Sequence, residues 1–156
     1  KKGIVFKDIT PVLSDIETLR TSVKEMAAPY MGLNVDVVVG IESRGFIFGA
    51  PIADILGCSF VPVRKPGKLP WKTESVSYEL EYGSDSLEIH VDSIEPHQNV
   101  LIVDDLLATG GTAEATCRLV SKLRGNIVGF TVLVELEFLE GRKRLNQYNV
   151  HSLVQY

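Results

Sequence analysis

The stretch at 100–115, VLIVDDLLATGGTAEA, constrains the fold of this chain more than any other. An apolar run begins it and ends in two acids, Asp104 and Asp105, as a buried strand does at the edge of a sheet. A small loop rich in glycine and threonine follows at 108–112, and an amphipathic helical pattern begins directly behind it. A strand, a glycine-containing loop and a helix N-terminus in this order predict an anion site, because backbone N–H groups and the helix dipole attract a phosphate.

The two acids indicate what lies beside the phosphate. Asp104 and Asp105 cannot bind the phosphate itself, because like charges repel. Adjacent carboxylates in this position suit neutral hydroxyl groups or a metal ion. The stretch therefore predicts a ligand with a phosphate at one end and a diol or metal next to it, and a phosphorylated ribose fits this description.

The rest of the chain alternates apolar strand patterns with helical patterns. Strands are predicted at 4–6, 36–41, 58–63, 127–134 and 150–154, and helices at 46–56, 113–123 and 140–145. A further helix is predicted to begin at a capping box of Ser14 and Glu17 and to stop at Gly32, and Gly125 is the predicted C-cap of the helix at 113–123. This order predicts an α/β fold, a mostly parallel twisted sheet flanked by helices, in a single domain over 1–156.

One segment departs from this alternation. Period-two patterns on both sides of the turn at 83–85 predict an antiparallel β-hairpin inserted at about 72–92. Such a hairpin can project from the sheet edge and act as a lid.

Three polar loops follow predicted strands, at 42–45, 64–68 and 104–112. Because ligands bind at the carboxyl ends of the strands in a parallel sheet, all three loops should open on one edge. The loop at 64–68 carries three cations, Arg64, Lys65 and Lys68, which favour a polyanion, although a solvated turn is the alternative. The convergence of the three loops predicts one site for a polyanionic ligand.

Composition excludes several classes of function. A net charge of -4 argues against general nucleic-acid binding, and the sequence shows neither an apolar run long enough for a membrane helix nor a signal-peptide pattern. Cys58 and Cys117 are predicted to be buried free thiols, which favours the cytoplasm. The scattered His90, His97 and His151 show no metal spacing. The chain begins without methionine, so we expect a further N-terminal segment to precede it.

The stretch VLIVDDLLATGGT resembles the phosphoribosyl-pyrophosphate (PRPP) motif of type I phosphoribosyltransferases. Further blocks resemble the adenine phosphoribosyltransferases within this family: GIVFKDITPVL at 3–13, GIESRGFIFG at 40–49, RKPGKLP at 64–70, YELEYGSDSLEIH at 78–90 and VELEFLEGR at 134–142. The resemblance implies the type I phosphoribosyltransferase fold and transfer of a phosphoribosyl group from PRPP to N9 of adenine, with AMP and pyrophosphate as products. It also implies Mg²⁺ and a homodimer, with the metal held mainly by PRPP oxygens and waters rather than directly by the protein.

The resemblance also assigns roles around the sugar donor. It places the 5′-phosphate on Ala108, Thr109, Gly110, Gly111 and Thr112. Asp104 and Asp105 would hold the ribose hydroxyls and favour the positive charge that develops on the sugar. The residues expected at the pyrophosphate are Ser43, Arg44, Arg64, Lys65 and Lys68. A cis peptide bond is expected at Glu42–Ser43, as is frequent in the family.

The base and the proton transfer involve other segments. By resemblance, adenine contacts Val5, Phe6, Lys7, Arg44 and Leu136. Relatives often have arginine in place of Lys7, and lysine lacks the planar fork, so the resemblance implies the backbone contact rather than a side-chain contact at this position. Phe6 taken alone is more typical of an ordinary core aromatic. Glu81 is the predicted catalytic acceptor or orienter of the adenine N9 proton, with Tyr82 gating the pocket, and a solvated strand acid is the alternative for Glu81.

Two other functions stay open on the sequence alone. One is another purine specificity in the same superfamily, such as hypoxanthine, guanine or xanthine. The other is a PRPP-sensing regulator that binds nucleic acid, for which a basic face or a helix-turn-helix domain would be needed.

Overall fold

The computed structural model describes residues 8–79 and 83–156, and a parallel sheet of five strands in the order β2-β1-β5-β6-β7 forms its centre. The strands are β1 (Val37–Ile41), β2 (Ser59–Val63), β3 (Thr73–Glu79), β4 (Ser84–His90), β5 (Asn99–Leu107), β6 (Asn126–Glu135) and β7 (Val150–Gln155). Each neighbouring pair in the central sheet is parallel. The prediction of a mostly parallel sheet is therefore confirmed.

Helices cover both faces of this sheet. They are α1 (Thr10–Ser14), α2 (Ile16–Ala27), α3 (Gly45–Leu56) and α4 (Gly111–Lys122), with short 3₁₀ turns at Ala28–Tyr30, Glu137–Leu139 and Gly141–Leu145. In β5, Val100 and Ile102 pack into the core on the α4 side, whereas Leu101 and Val103 pack into the core formed with α2 and α3. The uninterrupted apolar run of this strand follows from burial on both faces.

The hairpin of β3 and β4 forms a separate two-stranded antiparallel sheet. One face of the hairpin packs inward, because Val76, Tyr78, Leu87 and Ile89 are buried in the core on the α4 side. The backbone of Arg64 and Glu88 exchanges two hydrogen bonds that join the base of the hairpin to the end of β2. The base is therefore part of the core rather than a freely projecting arm, while residues 80–82 lie outside the described residues.

Two local predictions were wrong. The N-cap of α2 is Asp15, whose carboxylate accepts a hydrogen bond of 2.8 Å from the Thr18 N–H, because Ser14 is the last residue of α1. The chain leaves α4 with Arg124 at φ 61, not with glycine. At Gly125 a side chain would lie 2.8 Å from Val120 Cγ1, so close packing rather than capping requires the glycine.

The remaining predictions outside the site concern the two cysteines, the strand at 4–6 and membrane-spanning helices. Cys117 is buried and free, whereas the free Cys58 is only half-buried because it lies directly before β2, a strand at the edge of the sheet. The predicted strand at 4–6 lies outside the described residues. Within the described part of the chain, no helix is long and apolar enough to cross a membrane.

Candidate active site

A cavity of about 370 Å³ opens at the carboxyl ends of β1 and β5. These strands are direct neighbours in the sheet, so the loops that follow them meet. The predicted site residues that line the cavity are Ser43, Arg44, Asp104, Asp105, Ala108, Thr109, Gly110, Gly111 and Thr112. The structure thus brings together two of the three loops that the sequence predicts to converge.

The loop at 108–112 has the backbone geometry of an anion site. Gly110 is the N-cap of α4 with φ 82, and no described side chain caps the helix at this position. The N–H groups of the first turn have no acceptor within the helix, so they are available to a ligand. The helix dipole adds positive potential at the same point.

The two acids occupy different environments in this cavity. Asp105 forms an ion pair with Arg44 (Nε–Oδ2 2.7 Å), with side chains 6% and 51% exposed respectively. Burial and the neighbouring charge of Asp105 raise the pKa of Asp104 well above its ordinary value of 3.8. Carboxyl oxygens accept hydrogen bonds, which suits the hydroxyl groups of a sugar.

The loop after β1 approaches these acids closely. A side chain at Gly45 would lie 2.8 Å from the Val103 carbonyl oxygen and 3.0 Å from Asp104 Oδ1, so only glycine permits this approach. The Glu42–Ser43 peptide bond is cis, as the resemblance predicts. Arg44 follows directly and is thereby placed beside Asp105.

The third loop lies next to the cavity, but its cations are not among the residues that line it. Glu42 Oε2 accepts hydrogen bonds from Arg64 Nε (3.2 Å) and the Lys65 N–H (2.8 Å), and so joins this loop to the site. Burial disfavours ionisation of Glu42, but these hydrogen bonds and the positive charges outweigh it and lower the pKa below 4.5. Arg64 Nη1 donates to the Lys68 carbonyl at 3.3 Å.

A chain of polar contacts links the loop at 108–112 to the hairpin. Thr112 Oγ1 donates to Tyr78 Oη at 3.3 Å, and Tyr78 Oη donates to Asp85 Oδ2 at 3.4 Å. Asp85 also pairs with Lys65 Nζ. Sequence reasoning missed Glu42, Tyr78 and Asp85, since alternation indicated only that Tyr78 is buried and no local signal marks its hydroxyl partners.

The residues predicted to contact adenine or to act on its proton, apart from Arg44, do not line this cavity or lie outside the described residues. Leu136 is fully buried in the core on the α2 and α3 side, and its N–H donates to the Leu107 carbonyl at 2.9 Å. The structure does not bring it to the cavity wall. Several predicted residues lie outside the described residues, namely Val5, Phe6, Lys7, Glu81 and Tyr82.

The residues of the cavity fit a magnesium ion held mainly by its substrate. No group of three histidine, cysteine, aspartate or glutamate side chains suited to a metal occurs within 8–79 and 83–156. Mg²⁺ commonly keeps several waters and takes one or two carboxylates together with substrate phosphates. The pair Asp104 and Asp105 beside an anion loop meets that requirement.

Comparison with known proteins agrees with this geometry. The family model of the phosphoribosyl transferase domain matches residues 12–154. An adenine phosphoribosyltransferase of Nitrosococcus oceani is 54% identical over 156 residues, which is 100% of this chain and 91% of the relative. The chain belongs to the adenine phosphoribosyltransferase family.

Solved structures of this phosphoribosyltransferase family agree in fold as well. The adenine phosphoribosyltransferase of Thermoanaerobacter pseudethanolicus has a TM-score of 0.97 and 54% identity, covering 100% of this chain and 91% of that one. The enzyme of Saccharomyces cerevisiae has a TM-score of 0.91 and 41% identity, covering 97% and 88%. The latter was crystallised with D-2,5-dideoxy-2,5-imino-altritol 1,6-bisphosphate and adenine.

Proposed function

We propose that this chain is an adenine phosphoribosyltransferase, which transfers the phosphoribosyl group of PRPP to N9 of adenine and releases AMP and pyrophosphate. The observation that carries the proposal is the single cavity that joins the anion loop at 108–112, two acids and the loop at 42–44. Membership of the family and the ligands of the yeast relative support adenine as the acceptor.

The sugar phosphate would enter with its 5′-phosphate on the N-terminus of α4. The free N–H groups of the first turn and the hydroxyl of Thr109 are its donors. The Thr112 hydroxyl donates to Tyr78 Oη in this structure, so it would exchange that acceptor for a phosphate oxygen. Asp104 and Asp105 then face the ribose hydroxyls and the anomeric carbon. As the bond to pyrophosphate breaks, positive charge develops on the sugar, and the carboxylate of Asp105 favours that charge.

The pyrophosphate would lie along Ser43 and Arg44, with the basic loop beside it. Lys65 is paired with Asp85 in this structure, so binding of pyrophosphate by Lys65 requires that it exchange one anionic partner for another. Mg²⁺ bound to PRPP oxygens would supply further positive charge to the leaving group.

The adenine end depends on residues outside the described part of the chain. We propose that Val5, Phe6 and Lys7, with Arg44 and Leu136, hold the base. Glu81, which lies between β3 and β4 in the sequence, accepts the N9 proton or orients it, and Tyr82 closes the pocket. Closure keeps water away from the reactive sugar while the N9 lone pair attacks it.

We further propose that the chain forms a homodimer in the cytoplasm. The α3 side chains Ile47 and Ile55 are 39% and 37% exposed and line a groove of about 290 Å³, which supports an apolar contact surface. The free Cys58 and Cys117 agree with a reducing compartment. A mass measured by light scattering that equals one chain would contradict the dimer.

The proposed activity is tested by following AMP formation from adenine, PRPP and Mg²⁺ in the ultraviolet, with hypoxanthine and guanine as parallel acceptors. We expect turnover with adenine and little with the other two bases. Turnover of only the 6-oxo purines would replace the adenine assignment, and no turnover together with tight nucleic-acid binding would overturn the enzyme assignment.

The role of Glu81 has its own test. Glu81→Ala should lower the single-turnover rate more than it weakens adenine binding, because the carboxylate acts on the proton in the transition state. An unchanged single-turnover rate would leave Glu81 without a chemical role.

A further inference from the structure

The end of β6 carries a buried glutamate with an arginine partner that the mechanism above does not use. The Glu135 side chain is 4% exposed, and its Oε1 accepts from Arg142 Nε at 2.9 Å while its Oε2 accepts from Arg142 Nη2. Ser152 Oγ on β7 donates to Oε2 at 2.8 Å, and Arg142 Nη1 donates to the Val150 carbonyl at 2.8 Å. These bonds tie the turn after residue 140 to the carboxyl ends of β6 and β7.

The residue before Arg142 is in direct contact with the loop that would hold the 5′-phosphate. A side chain at Gly110 would lie 2.5 Å from the Gly141 carbonyl oxygen. Conversely, a side chain at Gly141 would collide with the Ala108 carbonyl oxygen and lie 3.0 Å from Gly110 N. The backbones of the two segments thus touch with no space for a methyl group between them.

Arg142 does not itself bind a ligand in this arrangement. Its Nε, Nη1 and Nη2 all donate within the protein, to Glu135, Val150 and Ser152, and it is not among the residues that line the cavity. The guanidinium fork matches the carboxylate in a bidentate manner, which fixes the direction of the arginine side chain and hence of the preceding backbone.

We propose that Arg142, held by Glu135, is a positioning residue that sets the phosphate-binding loop at 108–112 through Gly141. This inference rests on the proposed function, since it assumes that the 5′-phosphate of PRPP binds at that loop. No side chain of the described residues caps the helix at Gly110, so packing against Gly141 supplies part of the restraint on the N–H groups of the loop. Displacing such donors by a fraction of an ångström weakens phosphate binding, because their hydrogen bonds depend on distance and angle.

The test compares Arg142→Met with Lys143→Met in steady-state kinetics. Among the described residues, the Lys143 ammonium pairs with Glu140 at the exposed surface. This control therefore removes the same charge from the same turn without touching the loop. We expect Arg142→Met to raise KM for PRPP on the order of tenfold or more while KM for adenine stays near wild type. Lys143→Met should leave both constants near wild type.

Further variants separate positioning from general loss of structure. Arg142→Lys keeps the positive charge but not the planar fork of the guanidinium. We therefore expect it to be folded like the wild type and to have a KM for PRPP that is still above the wild-type value. Gly141→Ala, which keeps the ion pair and moves the loop directly, should raise KM for PRPP in the same way. Thermal unfolding of each variant shows whether it is folded under the assay conditions.

Several results would overturn the inference. One is that Arg142→Met raises KM for PRPP and KM for adenine equally. Another is that Arg142→Met lowers the unfolding temperature and leaves KM for PRPP unchanged. A third is that Gly141→Ala has a wild-type KM for PRPP. If wild-type protein fails to form AMP at all, the proposed function itself fails, and the two failures are thereby distinguished.

Discussion

Replacement of Gly110 by alanine should damage this protein in two separable ways. Gly110 has φ 82, and a left-handed conformation costs an alanine ~1–2 kcal/mol relative to glycine. The added Cβ would also lie 2.5 Å from the Gly141 carbonyl oxygen, whereas an ordinary close C···O contact is ~3.3 Å. The loop must therefore shift by ~0.8 Å or the Gly141 turn must yield.

The shift acts on binding as well as on stability. Overpacking of this kind costs ~1–3 kcal/mol, so the total loss of unfolding free energy is ~2–5 kcal/mol. A misplacement near 1 Å at a substrate-positioning group lowers catalytic efficiency by about a hundredfold. Since Gly110 lies in the proposed 5′-phosphate site, that loss should appear in the KM for PRPP and not in the KM for adenine.

Gly32→Ala is the matched control for this experiment. Gly32 has a similar φ of 85, but a side chain there meets nothing within 4 Å. It should therefore lose only the ~1–2 kcal/mol of backbone strain and keep wild-type kinetics. The assays are urea unfolding followed by fluorescence or circular dichroism, and initial rates of AMP formation with each substrate varied in turn.

The comparison can refute the reasoning directly. If Gly110→Ala and Gly32→Ala lose the same unfolding free energy and have the same KM for PRPP, then the contact with Gly141 has no consequence. If Gly110→Ala instead raises KM for adenine alone, the loop does not hold the phosphate end of the donor.

Three further outcomes are expected. Asp104→Asn combined with Asp105→Asn should lower kcat by about two orders of magnitude or more, and a near-wild-type rate would remove both acids from the site. Burial raises the pKa of the Cys117 thiol to about 12, so at pH 8 a thiol reagent followed by mass spectrometry should label the half-buried Cys58 first. Hydrogen bonds from the Arg142 guanidinium lower the pKa of Glu135 below its ordinary value of 4.5. The free energy of unfolding that they contribute is therefore fully present above pH 4.5, and it is lost as the pH falls through the lower pKa of the folded state. The stability gap between wild type and Glu135→Gln in urea should therefore narrow below pH 4.5, and a gap independent of pH would contradict the ion pair.

The elements that bear the site were predictable because their signals are local. The strand, acids, loop and helix around Asp104 follow one another along the chain, and each is marked by its own residue types. Burial on both faces of the sheet produces the apolar runs, and the order of strands and helices predicts the parallel sheet. The meeting of the loops after β1 and β5 follows from the rule that parallel strands end on one edge.

Contacts between distant segments were not predictable in the same way. Nothing local marks Glu42 as the acceptor for the loop at 64–68, because its partners are 22 and 23 residues away in the sequence. The same holds for Thr112 and Tyr78, which are 34 residues apart. Likewise, both Ser14 and Asp15 are residues that can cap a helix. The sequence did not show that α1 would end at Ser14 and so leave Asp15 as the N-cap of α2.

The amino-acid pattern alone thus predicts an α/β sheet with a glycine-containing loop and two acids at its carboxyl edge, because periodicity and loop chemistry are properties of contiguous residues. Only the packing of the chain establishes that Arg44 forms an ion pair with Asp105, that the pKa of Asp104 is raised and that Gly141 contacts the loop at 108–112. Burial, charge pairing and van der Waals contact depend on distances in space, and these exist only once the folded chain brings separate segments together.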